Sequence, residues 1–187
     1  PLGVGGMAAI IGLSEEKLKE CLVEARKYGV VEISNYNTPK QLVIGGEAKA
    51  VEVAIELCKE AGARRAVPLK VSGPFHTPLL EEASVNLAKE LNNIEFQDMK
   101  IPVLTNVTAE VIADSSQIKD LLIKQVKSSV KWTETIRNMI DMGIDTFIEI
   151  GPSRTLSGFL RDIDRSVTTF NVEDMKSLNK TLEGILI

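Results

Sequence analysis

The chain has 187 residues, of which 44% are hydrophobic and 26% are charged. These fractions are typical of a globular protein and exclude disorder as the main state of the chain. The formal net charge is −4, from 22 basic and 26 acidic residues, and the basic residues are interleaved with acidic ones. We therefore expect no nucleic-acid partner, since phosphate backbones require clustered lysine and arginine side chains.

Targeting and redox signals are sparse. No apolar run approaches the roughly 18 residues that a membrane-spanning helix requires, so we expect no membrane partner and a cytoplasmic location. The chain opens with PLGVGG and has no initiator methionine, which is typical of a processed product or of a piece of a longer protein. Cys21 and Cys58 each lie in an apolar helical pattern and are expected to be buried thiols. With no CxxC motif and no cluster of cysteine and histidine, no metal site is expected.

The hydrophobic pattern of residues 1–71 predicts a ferredoxin-like subdomain. The predicted elements in chain order are strand 7–13, helix 15–27, strand 30–35, strand 41–44, helix 47–61 and strand 65–71. Ser14 is placed to cap the first helix, and Gly45-Gly46 is expected to end the third strand. This order is that of a split βαβ unit. We therefore expect a four-stranded antiparallel sheet with both helices on one face.

Residues 72–187 show a different pattern, in which strands alternate with helices. The predicted elements are helix 78–91, strand 103–107, helices 118–126 and 133–142, strand 146–150, helix 156–163, strand 167–170 and helix 175–186. This alternation is typical of parallel α/β layering. Three strands are few for a parallel sheet, which needs both faces covered. The fold class expected for the whole chain is α/β, with a subdomain boundary at 71–73 and an incomplete sheet after it.

The first candidate for chemistry is His76, the only histidine. It lies in the segment SGPFHTPLL, two residues from Pro74 and two from Pro78, which excludes the interior of a helix or a sheet. A histidine on a stiff turn after a strand is well placed to act as a general base. The alternative is a surface or capping histidine. We expect its ring to be partly accessible.

A serine nucleophile for this base is not evident in the sequence. No G-x-S-x-G elbow is present, and the nearest approach is the segment GPSRT at 151–155, between a predicted strand and a predicted helix. Thr155 stands where the elbow requires its second glycine. Ser153 is therefore interpreted as an N-cap of the following helix, with the nucleophile of a hydrolase as the alternative.

Six sequence blocks carry a family resemblance. In chain order they are GGMAAIIGL, NYNTPKQLVIGG, GARRAVPLKVSGPFHTPLL, IPVLTNVTAE, IKQVKSSVKW and FIEIGPSRTLSGFL. Together they resemble the malonyl-CoA:acyl carrier protein transacylases of bacterial fatty acid synthesis, from the first residues to about Leu160. The resemblance implies a large hydrolase-like α/β domain with an inserted ferredoxin-like subdomain. Residues 1–71 would form the subdomain, and 72–187 the C-terminal portion of the large domain.

The resemblance also implies roles for three residues. His76 in GPFH matches the family's catalytic histidine, and Gln125 matches the glutamine whose main-chain carbonyl accepts a hydrogen bond from it. Phe75 matches the bulky residue of malonyl-selective members, where it would exclude a substrate with an α-methyl branch. The alternatives are a helix-surface glutamine and a core aromatic that anchors the turn. The family's block G-P-G-K reads G-P-S-R here, with Ser153 in the third position.

The implied reaction is transfer of a malonyl group from malonyl-CoA to acyl carrier protein, by a ping-pong mechanism with a serine nucleophile. The family's serine elbow belongs to its N-terminal half, which this chain lacks, so the chain alone is expected to be inactive. The expected partners are that missing half, a coenzyme A thioester, and acyl carrier protein with its phosphopantetheine arm. No metal or redox cofactor is expected. A non-catalytic interaction module and a degenerate acyltransferase fragment remain as alternatives.

Overall fold

The computed structural model of the protein describes residues 5–185. Its strands are β1 (Gly5–Ile11), β2 (Val31–Thr38), β3 (Gln41–Glu47), β4 (Arg65–Pro68), β5 (Thr146–Ile150) and β6 (Thr168–Val172). Its α-helices are α1 (Glu15–Ala25), α2 (Ala48–Glu60), α3 (Glu81–Leu91), α4 (Ile118–Lys127), α5 (Trp132–Asp141), α6 (Thr155–Ile163) and α7 (Met175–Ile185). Within the described range, no helix is both long enough and apolar enough to cross a membrane.

The chain divides into two compact units between Thr135 and Ile136. The first unit contains the ferredoxin-like sheet and the segments after it as far as Thr135. The second contains the two-stranded sheet of β5 and β6. The predicted subdomain boundary at 71–73 lies inside the first unit and stays a prediction.

The four-stranded sheet of the first unit has the predicted topology. Its strand order is β2-β3-β1-β4, and every neighbouring pair is antiparallel. Ile10 and Ile44 of the sheet pack in one buried cluster with Leu22 of α1 and Cys58 of α2. Both helices therefore cover the same face, as expected. Ser14 caps α1 by accepting a hydrogen bond from the Lys17 amide at 3.4 Å.

The expected end of the third strand at Gly45-Gly46 is wrong, because β3 continues through both glycines to Glu47. A Cβ on Gly46 would lie 2.1 Å from the carbonyl oxygen of Val30, and one on Gly45 would lie 3.0 Å from the methyl carbon of Thr77. The glycines are thus required for close packing against neighbouring backbone and loop, and they do not interrupt the strand.

The predicted strand 103–107 is also wrong. The structure has only a single bridge there, between Leu104 and Val111. Thr105 accepts a hydrogen bond from the Ala109 amide at 2.8 Å and donates its own amide to Glu110. Because of this tight turn, residues 103–105 pair with residues 110–112 of the same segment and do not join a longer strand.

The second unit is built on a parallel pair of strands. β5 and β6 run side by side in register, with Ile148 opposite Phe170, and α6 and α7 pack against them. The strands at 146–150 and near 167–170 are therefore confirmed, with the second shifted to Thr168–Val172. The predicted parallel layering is present as two strands of the described chain.

Candidate active site

The loop that carries His76 sits on the face of the four-stranded sheet opposite to α1 and α2. After β4, the chain crosses back so that the Thr77 methyl group lies against Gly45 and the ring of Pro74 against Gly5. A Cβ on Gly5 would lie only 2.5 Å from the Pro74 ring. The absence of side chains at both glycines therefore lets the loop approach the sheet backbone.

Hydrogen bonds within the loop fix its shape. The buried Thr77 hydroxyl donates to the Pro74 carbonyl at 2.7 Å, and the Phe75 amide donates to the Gly73 carbonyl at 3.0 Å. His76, between them, has a positive φ of 60°. This left-handed conformation is uncommon for residues other than glycine and is found where the surroundings enforce it, often at functional sites.

The imidazole of His76 is half-buried, and its Nδ1 lies 2.8 Å from the main-chain carbonyl oxygen of Gln125. Gln125 lies in the last turn of α4, where carbonyl groups have no partner within the helix. A carbonyl can only accept, so the contact requires the proton on Nδ1. The neutral ring then has its lone pair on Nε2, which is the form that can take a proton from a substrate or nucleophile.

The side chain of Gln125 has a separate role. Its Nε2 lies 3.2 Å from the Ser128 carbonyl and 3.4 Å from His76 Nδ1. Two donors cannot share a hydrogen bond, so with Nδ1 protonated the amide donates to Ser128. The side chain therefore closes the end of α4, while the backbone holds the histidine. This geometry matches the expected contact, and the catalytic roles of His76 and Gln125 stay predictions.

The end of α4 is anchored to the same sheet as the histidine loop. The segment 128–130 runs along the edge of β2, where the Tyr36 amide donates to the Val130 carbonyl and the Val130 amide to the Ser34 carbonyl, at 2.9 and 2.8 Å. The Ser129 hydroxyl donates to the Ile33 carbonyl at 2.6 Å. Both sides of the His76–Gln125 contact are thus fixed to one rigid scaffold, as preorganised chemistry requires.

An ion pair adds a second link. Lys127, at the end of α4, donates to both carboxylate oxygens of Glu81, at 2.7 and 2.6 Å. Glu81 begins α3, directly after the histidine loop. The sequence alone indicated neither this pair nor the docking of 128–130 on β2. Both depend on contacts between residues about 46 and 96 positions apart, for which the local pattern carries no signal.

Phe75 is 42% exposed. The alternative of a core aromatic that anchors the turn is therefore not supported. The ring adjoins the histidine in sequence and presents apolar surface, and its role in substrate binding stays a prediction.

Ser153, the alternative nucleophile, and the buried thiol of Cys58 have the following surroundings. The Ser153 hydroxyl lies 3.1 Å from Thr155 Oγ1. The expectation that Ser153 caps α6 is wrong, because the N-cap position is that of Arg154, whose side chain makes no capping hydrogen bond. Glu149 caps the helix by accepting hydrogen bonds from the Leu156 and Ser157 amides, because the carboxylate at the end of β5 reaches further than the serine. Burial, with the adjacent Cys21 second, raises the pKa of the Cys58 thiol to about 12, which makes it a poor nucleophile.

No metal centre emerges from the part of the chain that the structure describes. Among residues 5–185, no three histidine, cysteine, aspartate or glutamate side chains lie close enough together to hold an ion. The candidate site is therefore a histidine held by a main-chain carbonyl, with an exposed phenylalanine beside it.

Sequence comparisons identify close relatives. The chain is 42% identical over 186 residues to the malonyl CoA-acyl carrier protein transacylase of Bacillus subtilis (strain 168), covering 99% of this chain and 59% of that protein. It is 40% identical to the transacylase of Haemophilus influenzae, covering 100% of this chain and 60% of the relative. The chain thus spans about 60% of the length of the curated relatives it matches.

Solved structures give the same result. The malonyl CoA-acyl carrier protein transacylase of Clostridium perfringens is 44% identical with a TM-score of 0.96, and the match covers all of this chain and 58% of that one. A malonyl-transacylase in complex with a type II polyketide synthase acyl carrier protein is 38% identical with a TM-score of 0.95, covering 98% and 60%. The acyl transferase domain matches residues 2–180, so the chain belongs to the acyl transferase domain family.

Proposed function

We propose that this chain forms part of an enzyme that transfers a malonyl group from malonyl-CoA to acyl carrier protein in fatty acid synthesis. The names of the relatives support the substrate class. The observation that carries the chemistry is the 2.8 Å contact between His76 Nδ1 and the Gln125 carbonyl oxygen. In the neutral ring this contact leaves the lone pair on Nε2, which supports a general-base role for His76 on a loop that is fixed to a sheet.

In the first half-reaction, the nucleophile is a serine in the part of the protein that this chain does not span. Nε2 of His76 takes the hydroxyl proton as the serine oxygen attacks the thioester carbonyl carbon. When the carbon–sulfur bond breaks, the same proton passes to the departing coenzyme A thiolate. The products are a malonyl-serine ester and free coenzyme A.

The second half-reaction reverses these roles. His76 takes the proton of the phosphopantetheine thiol of acyl carrier protein, and the sulfur attacks the ester carbonyl. The proton then returns to the serine oxygen as the carbon–oxygen bond breaks. While the ring carries two protons, Nδ1 keeps its hydrogen bond to Gln125, at the negative end of the α4 dipole. Acid–base and nucleophilic chemistry suffice for every step, so we propose that neither a metal nor a redox cofactor takes part.

The proposal is tested in the whole protein by following labelled malonyl from malonyl-CoA to acyl carrier protein. His76→Ala should lower kcat by about 10²- to 10⁴-fold, the usual contribution of a positioned general base. Ser72→Ala is the matched control, because Ser72 is an exposed residue of the same loop. Transfer that survives in His76→Ala would remove the histidine from the mechanism. A folded whole protein that transfers no malonyl would favour the interaction module.

Phe75 should set selectivity against an α-methyl branch. Phe75 lies between Pro74 and His76 in the chain, and a substrate methyl group pressed against its ring would be strained or displaced. One misplaced methyl is worth about 10- to 200-fold in specificity. Phe75→Ser should therefore lower the ratio of kcat/KM for malonyl-CoA to kcat/KM for methylmalonyl-CoA, while malonyl transfer continues. An unchanged ratio would leave the ring with no part in selectivity.

A further inference from the structure

A small pocket in the second unit is lined by basic side chains and by no acidic one. Its volume is about 80 Å³, and it lies between α6, β6 and α7. Arg154, Arg161 and Lys180 contribute the charges, and Thr169 contributes a hydroxyl group. The hydroxyl of Ser177, which also lines the pocket, donates to Asp174. Three cations therefore line one small space in a chain with a net charge of −4. The Glu149 and Asp174 carboxylates bond to the lining residues Ser157 and Ser177 but do not themselves line the pocket.

These cations lack acidic partners in the part of the chain that the structure describes. No ion pair among residues 5–185 includes Arg154, Arg161 or Lys180. Arg154 donates from Nε to Asn171 Oδ1 at 3.3 Å, which orients the guanidinium and leaves its other donors available. An anion between these side chains would meet positive charge that no carboxylate of the described chain neutralises in an ion pair.

The wall opposite Arg154 is held in place. The Ser177 hydroxyl accepts hydrogen bonds from the Glu173 and Asp174 amides at 3.0 and 2.9 Å. The buried Thr181 donates to the Asn171 carbonyl. Asn171 of β6 thus connects Thr181 of α7 to Arg154. The base of the pocket is held by these hydrogen bonds, and Arg161 and Lys180 are exposed residues of its lining.

We propose that this pocket binds a phosphate group, either free phosphate or the terminal phosphate of a larger ligand. Guanidinium forks match the geometry of phosphate oxygens, and a lysine adds a point charge. A volume of about 80 Å³ is small and suits one tetrahedral oxyanion. Nothing in the malonyl-transfer chemistry of His76 uses this site.

The first test is a titration of the 187-residue chain with inorganic phosphate, followed by amide NMR at constant ionic strength. We expect saturable shifts at Ser177 and Thr181. Arg161→Gln and Lys180→Gln should each weaken binding by about fivefold or more, as the loss of one charge-assisted contact requires. Arg165→Gln and Lys176→Gln are matched controls, because both are exposed, remove one charge and lie outside the lining.

Two results would overturn the proposal. One is the absence of saturable shifts in the parent chain, and the other is equal weakening in the control variants, which would indicate a general charge effect. The source of the phosphate is identified with coenzyme A and 3′-dephospho-coenzyme A as probes. If Arg161→Gln weakens binding of the first and not of the second, the pocket takes the 3′-phosphate. If it weakens free phosphate alone, the pocket takes the free ion.

Discussion

The two compact units bury their apolar side chains to very different extents. In the first, the helices and the antiparallel sheet enclose a continuous buried cluster. In the described part of the second, Ile136 and Leu160 are the buried hydrophobic side chains, while Ile150 is 82% and Met175 69% exposed. An antiparallel sheet with two helices can cover its own apolar face, whereas two parallel strands cannot cover both of theirs. The sheet and helices of the first unit therefore enclose a core of their own, whereas the parallel strands of the second unit leave apolar side chains exposed.

The largest expected effect separates the two cores. Leu22→Ala should lower the free energy of unfolding by about 2–5 kcal/mol, because Leu22 is 1% exposed and its loss leaves a cavity. Leu182→Ala, the same change on α7 at a residue 49% exposed, should cost about 0.5 kcal/mol or less. Urea unfolding followed by circular dichroism measures both. Equal costs would show that the second unit has a comparable core.

The second unit depends more on a polar cap. Glu149 accepts hydrogen bonds from the Leu156 amide and from the amide and hydroxyl of Ser157, at 3.0, 2.7 and 2.7 Å. Glu149→Ala should lower its stability by about 1–2 kcal/mol, as the loss of a helix cap does. Glu183→Ala is the control on an exposed helix face.

The same cap predicts a pH dependence. Burial pushes the pKa of Glu149 upward, but the hydrogen bonds from Ser157 and Leu156 outweigh it and lower that pKa from its ordinary value of 4.5. A group with a lowered pKa in the folded state stabilises fully above pH 4.5 and loses this contribution as the pH falls through the folded value. Urea unfolding between neutral pH and pH 3 should therefore show a steeper acid loss in the parent than in Glu149→Ala. If stability fell with pH to the same extent in the parent and in Glu149→Ala, the stabilising role of the ionised Glu149 side chain would be contradicted.

The smallest expected effect concerns the backbone after β5. Ser153 has a φ of 76°, which lies in the left-handed region that favours glycine. Ser153→Gly should raise the free energy of unfolding by about 0.5–1 kcal/mol. Ala109 in the first unit has a φ of 63° but is fully buried, so in Ala109→Gly the lost methyl burial should offset the relief of strain. Thermal unfolding of both variants checks this prediction. If Ser153→Gly were less stable than the parent, the claim of backbone strain at Ser153 would be wrong.

The sequence predicted the elements whose signals are local. The caps, the helical periodicity and the turn residues placed the four-stranded sheet, and two prolines placed His76 on a loop. It did not predict Gly45 and Gly46 inside β3, because their reason is the approach of Thr77 and Val30 from elsewhere in the chain. The strand expected at 103–107 is absent for a related reason. β-Branched residues favour a strand, but a strand also needs a neighbour to pair with, which composition alone does not show.

The candidate site divides in the same way. The residue types and the family resemblance pointed to His76, Gln125 and Phe75. Three other features depend on tertiary packing, which the periodicity of the sequence does not predict. They are the half-burial of the His76 ring, the exposure of Phe75, and the ion pair of Lys127 with Glu81. The docking of 128–130 along β2 also belongs to this group. It holds the Gln125 carbonyl in place through backbone pairing that any residue type could make.

The hydrogen bond from His76 to the Gln125 carbonyl is tested most directly by ¹⁵N NMR of the neutral imidazole. His76 is the only histidine of the chain, so a single pair of ring signals reports on it. The 2.8 Å contact predicts that Nδ1 carries the proton and that Nε2 is unprotonated. A ring with the proton on Nε2 could not donate to the carbonyl, and this result would contradict the assignment of His76 as a base that Gln125 orients.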